Sequence, residues 1–115
     1  MASFDFAELV KQLVDENPAI QQSAKMAILA LDEEAIDSLN DQFFAGVNDT
    51  VGLAILDIIA EIGGPDAMST LRNVFYFEET RHSLQQSAAR GLLHNSQSLS
   101  PKELDDVESF LSNHA

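Results

Sequence analysis

Glu79 and His82 stand three residues apart, the spacing by which a helix turns two metal ligands onto one face, and Glu78 lies beside them. Helical di-iron sites use that spacing twice, with more carboxylates on facing helices, whereas this chain has it once. Acids are also what the positive end of a helix dipole favours, so the cluster reads as well as the opening of a helix. That second reading is the simpler one, and no metal site is expected.

Nucleophilic chemistry is no better supplied. With no cysteine in the chain, a nucleophile would be a serine or threonine beside a histidine base. Ser83 follows His82 directly, but neighbours on a helix point about 100° apart, which separates the pair. His94 suits the C-terminal end of a helix, and His114 lies near the chain end. Asp37 and Asp41 make an i, i+4 carboxylate pair, yet on an acidic helix such pairs belong to a solvated face. Gly63-Gly64 lacks the lysine of a phosphate-binding loop. No catalytic set and no cofactor site emerge, and the chain is expected not to be an enzyme.

Contact chemistry is better represented. Nineteen acids against six bases give a net charge of −13 over 115 residues. Residues 32–64 hold eight of those acids and no base, whereas 65–98 are balanced, with three of each. Such a field repels phosphate backbones and anionic lipid, so neither nucleic acid nor membrane is expected as a partner. A protein of basic character is, although surface acid also serves plain solubility. Phe44 and Tyr76 each follow a core aromatic, Phe43 or Phe75, and Phe77 comes next. The three either tuck beneath loops to complete the core or form a strip for a partner, a role in which aromatics are enriched. A strip favours self-association and the charge opposes it, so a monomer or weak homodimer is expected.

These side chains need elements to carry them, and the elements repeat. Phe6/Leu9/Leu13, Ile36/Leu39/Phe43 and Met68/Leu71/Phe75 share one helical template, at offsets of 30 and 32 residues. Ile20/Ala24/Ala27/Ile28, Val51/Ile55/Ile58/Ile59 and Leu84/Ala88/Gly91/Leu92 share a second, at offsets of 31 and 33. A two-helix unit so short cannot bury its own apolar face and must stack on neighbours. The units span about 4–31, 32–64 and 65–95 of a single domain covering 1–115, with a capping helix over about 100–113.

Local signals set the helix ends. Ser3 caps a first helix to about Glu16, and Asn17-Pro18 opens a second that runs to about Leu31. Asp32 caps the third, which Gly46 closes, and Asn48 or Asp49 opens a fourth ending at Ile62. The fifth covers about Asp66 to Phe77 and the sixth about Thr80 to His94. Ser100-Pro101-Lys102-Glu103 has the spacing of a capping box for the seventh. Apolar residues nearly encircle Val51–Ile62, which predicts the most buried helix of the chain. No apolar stretch approaches the roughly 20 residues that cross a bilayer, and the start lacks a secretory signal, so a cytoplasmic protein is expected.

The pattern resembles the HEAT-like repeats of the armadillo superfamily, especially the short bacterial type of phycobilisome lyase-like proteins. The resemblance rests on Leu9, Leu39 and Leu71, on the Asn17-Pro18 and Asn48-Asp49 turns, and on Ala24, Ala54 and Ala88. It is closest from Ala54 through Ile62-Gly63-Gly64-Pro65-Asp66-Ala67 to Leu71, and it covers about residues 5–95. Gln21, Gln22 and Gly52 stand where members often carry an arginine that pairs with a turn aspartate. The resemblance implies an all-α, right-handed α-solenoid of three helical hairpins plus the C-terminal capping helix. Its second helices would line the concave side with Gln22, Lys25, Asp57, Glu61, Gln86 and Arg90. Members are mostly scaffolds or partner-binding modules, and a few act in chromophore attachment or DNA-base repair. The expected function is therefore an adaptor, regulatory or inhibitory protein that binds a basic partner, and the alternative is an accessory or lyase-like factor for chromophore or cofactor chemistry. Phe44, Tyr76, Phe77, Asp37, Asp41, Asp57, Glu61 and Arg90 are the candidate contact residues.

Overall fold

A computed structural model describes residues 6–77 and 79–113. Seven α-helices and no strand are present among them: α1 Phe6–Gln12, α2 Pro18–Leu31, α3 Glu34–Phe44, α4 Asp49–Ile62, α5 Gly64–Tyr76, α6 His82–His94 and α7 Pro101–Asn113. A 3₁₀ turn over Ser96–Ser98 precedes α7. The all-α class follows from the 3.6-residue periodicity, and none of these helices is long and apolar enough to cross a membrane.

Most ends obey the local chemistry. The Asn17 side chain accepts from the Ala19 N–H, and the Asn48 side chain accepts from the Val51 N–H, each at 2.9 Å. Ser100 and Glu103 exchange the two bonds of a capping box. Gly63 and Gly64 take φ of 68° and 89°, which lets α4 stop and α5 start with almost nothing between them. The expected fifth helix consequently begins two residues early, with Pro65 in its first turn.

Other expectations need correction. Asp32 does not cap α3: at φ 53° its backbone closes α2, and Glu33 precedes α3 without a side-chain cap. The first helix stops at Gln12 rather than Glu16, and the cap assigned to Ser3 lies outside the described residues. The sixth begins at His82, not Thr80. Nor is α4 the most buried helix. It buries five residues, whereas α5 and α6 bury six each over a shorter length. The reason is that α4 turns Leu53, Ala54 and Ala60 toward open clefts, while α5 is packed on α3, α4 and α6.

Neighbours pair in chain order, α1 with α2, α3 with α4 and α5 with α6. The odd-numbered helices also meet one another, α1 with α3 and α3 with α5, as do α2 with α4 and α4 with α6. One core joins them all, centred on Ile28, Ile36, Leu39, Ile55, Ile59, Leu71 and Leu92. A Cβ at Gly91 would lie 3.0 Å from the Ala60 Cβ, so the glycine is what lets α6 approach α4 this closely. Thr70 on α5 donates to the Asn40 side chain on α3 at 2.7 Å. The last helix, α7, closes over α6 through the fully buried Val107, and its Phe110 ring packs edge-on against Phe75.

Candidate functional sites

Two surfaces gather the chemistry. The first lies where α3 and α5 end. The aromatics Phe44, Tyr76 and Phe77 are 60, 47 and 57% exposed, and with Arg72 and Asn73 they line one open groove of about 570 Å³. They do not complete the core beneath the loops. Their core neighbours buttress them instead: Phe43 meets Phe44 and Phe75 meets Tyr76 as T-shaped pairs, at 5.1 and 4.9 Å. The Tyr76 hydroxyl donates to Asp106 on α7 at 2.9 Å. Partial burial, that bond and the charge of Asp106 together push the phenol up to about 12. Gln85 on α6 donates its side-chain amide to the Phe75 and Phe77 carbonyls, which fixes the end of α5. At the rim Arg72 pairs with Glu103 and also donates to the Ser98 carbonyl. Sequence reasoning found the aromatics through their repeat position. It missed Arg72, Asn73 and Gln85, whose roles depend on which helix ends meet.

Among the described residues, four basic side chains have an acidic partner: Lys25 with Glu61, Arg72 with Glu103, Arg81 with Asp49 and Lys102 with Asp106. The acids of α3 get none of them. Glu34, Asp37 and Asp41 are exposed or nearly so, and no ion pair reaches them among the described residues.

The second surface is a cleft of about 600 Å³ between α2, α4 and α6. Lys25, Asp57, Glu61, Arg90 and His94 rim it, while small residues, Ala60, Ser87 and Gly91, give it depth. A shallower groove continues past Gln21 and Gln22 and shares Lys25 and Asp57. Lys25 bridges to Glu61 at 3.1 Å. The Asp57 side chain touches solvent, but crowding helices strip part of its hydration and raise its carboxyl above the ordinary value. The opposing pull of Lys25 and Arg90 is the smaller effect. Four of the expected face residues, Lys25, Asp57, Glu61 and Arg90, thus come together here, with Gln22 on the adjoining groove and Gln86 lining neither. The floor of small residues was the overlooked signal.

The metal-like cluster does not assemble as its spacing suggested. Glu79 precedes α6, so it shares no helical face with His82, and Glu78 and His114 lie outside the described residues. No group of three or more metal-binding side chains occurs among the described residues. Ser83 donates to Asp49 at 3.2 Å, and Arg81 pairs with the same carboxylate. Both therefore act in tying α4 to α6.

The fold and its surfaces define an all-helical chain with an open aromatic groove and a separate, mixed-charge cleft. No protein-family model, no curated protein and no solved structure matches it.

Proposed function

We propose that this chain is a non-enzymatic protein-interaction module, an adaptor or a regulatory or inhibitory protein, that engages a protein partner of basic character. Its helices are arranged in this reading as a right-handed, HEAT-like α-solenoid of three hairpins, α1–α2, α3–α4 and α5–α6, capped by α7. The contacts of α1 with α3, α3 with α5, α2 with α4 and α4 with α6 support that arrangement. A cytoplasmic setting without nucleic-acid or membrane contact fits a charge of −13. The observation that carries the function is the exposure of three large aromatics around one groove, since monomers seldom leave such patches open without a use.

The test is capture of native-host proteins on the wild-type chain and on an Asp37→Asn/Asp41→Asn variant, at low and moderate salt. A basic protein should be held by the wild type at low salt and lost with salt or in the variant. Capture indifferent to both changes removes the electrostatic claim. An inhibitory role would appear as stoichiometric loss of the captured protein's activity.

A second reading, an accessory factor for chromophore or cofactor chemistry, is favoured by the ionisable rim of the cleft at Lys25, Asp57, Glu61, Arg90 and His94. Absorbance and native mass spectrometry of the protein purified from its host decide it. A colourless sample with only the mass of the chain speaks against this role.

A further inference from the structure

The aromatic groove has features that select one kind of basic side chain, and the following inference rests on the interaction-module reading. Its rings are held in place before any partner arrives. Core aromatics buttress Phe44 and Tyr76 edge-on, Asp106 anchors the Tyr76 hydroxyl, and Gln85 holds the backbone at Phe77. A wall fixed in advance spends little ordering entropy on binding.

Charge lies beside this wall on one side. By helical spacing, Asp37 and Asp41 sit about 20° and 60° around α3 from Phe44, so all three share its solvent face, Asp41 about 4.5 Å and Asp37 about 10 Å along the axis from the ring. These carboxylates lack cationic partners within the described chain, whereas those on the α7 side, Glu103 and Asp106, are matched by Arg72 and Lys102. Arg72, at the groove rim, is therefore neutralised by its own partner. Asp41 also stands in the last turn of α3, where the helix dipole disfavours a negative charge, and no basic residue is present there to offset it. A cation supplied from outside would relieve that conflict.

We propose that the groove receives an arginine-bearing, otherwise apolar segment of a partner protein, with the guanidinium stacked on the ring faces, its charge answered first by Asp41, one turn from Phe44, and a flanking basic residue drawn toward Asp37, two turns away. A planar, weakly hydrated guanidinium stacks on a ring while its edge donates to carboxylates. An ammonium is compact and strongly hydrated, so it gives up more on entering an apolar groove. At about 570 Å³ the groove exceeds one guanidinium, and apolar neighbours on the same segment fill the remainder.

Tyr76 provides the readout, because it is the single tyrosine of a chain without tryptophan. The full-length protein is titrated at low salt with a synthetic peptide of alternating arginine and leucine, followed by tyrosine emission. Matched peptides carry lysine or glutamate in place of arginine. The arginine peptide should saturate the emission change and bind several-fold tighter than the lysine peptide. Phe44→Ala and Phe77→Ala should each weaken the arginine peptide about tenfold and narrow its lead over lysine. Asp37→Asn/Asp41→Asn should weaken both basic peptides alike. Circular dichroism of each variant verifies that the fold is intact, and the exposed positions make loss of fold unexpected.

Equal binding of arginine and lysine peptides, unaffected by Phe44→Ala, overturns the stacking inference and leaves the basic-partner reading standing. Failure of both basic peptides to bind at low salt overturns the two together. Binding of the glutamate peptide, or an emission change at low salt with protein concentration alone as the mass doubles, overturns the inference in favour of another occupant.

Discussion

Two carboxylates in this protein respond to pH in opposite directions, and each does so for a local reason. Burial lifts Asp57 above its ordinary 3.8, so over the range just above that value the native chain keeps a proton that the unfolded chain has released. Asp57 therefore subtracts stability as pH rises through that window. Glu103 accepts from the Ser100 N–H and pairs with Arg72, which holds it below its ordinary 4.5. Its contribution is fully present above 4.5 and is lost as pH falls through the native value. Asp57→Asn should accordingly raise the melting temperature at neutral pH, by an amount that shrinks toward pH ~3. Glu103→Gln should lower it at neutral pH, with the difference fading in acid. Both groups touch solvent, so both effects should be small. Thermal melts across a pH series check the pair, and destabilisation by Asp57→Asn at neutral pH would mean that Lys25 and Arg90 outweigh burial.

At the scale of the element, α4 tests whether the core is continuous. Ile55 is completely buried within the shared core, and a carboxylate there would be surrounded by apolar side chains. The substitution Ile55→Asp should destabilise by about 3 kcal/mol or more. A denaturant melt with an unchanged midpoint would show that α4 is not central. The helices themselves were legible in the sequence wherever a cap is a short-range matter: Asn17, Asn48 and Ser100 each satisfy backbone donors two or three residues on. Asp32 was misread because it serves the end of one helix with its backbone, not the start of the next with its side chain. Burial along α4 was misjudged for a different reason. An apolar composition all round suggests cover on every side, yet Leu53 and Ala60 face a cleft that exists only once α2 and α6 stand on either side of it. The groove aromatics were legible from their repeat register, while the cleft was not, because nothing in the spacing of Ala60, Ser87 and Gly91 says which side chains will rise around them.

Over the whole molecule, the excess of acid sets how the protein responds to salt. Four cations lie in exposed or half-exposed pairs, which contribute little each, and the acids of α3 repel one another and the rest of the surface. Added salt weakens both effects, but repulsion within a net charge of −13 is the larger sum, so the melting temperature should rise from low to moderate ionic strength. A melting temperature that falls instead would mean that the ion pairs, Lys25–Glu61 and Arg72–Glu103 foremost, dominate the folded state's electrostatics. The same screening bears on association. Like charge keeps copies apart at low salt and leaves the groove of Phe44, Tyr76 and Phe77 open to a basic segment. Once that repulsion is screened, the exposed rings have apolar surface to bury against a second copy. Light scattering over a salt series should therefore find the monomer at low salt and weak dimerisation at high salt, abolished by Phe44→Ala/Phe77→Ala. Dimers at low salt, or dimers that survive loss of both rings, would place self-association on another face and separate it from the groove.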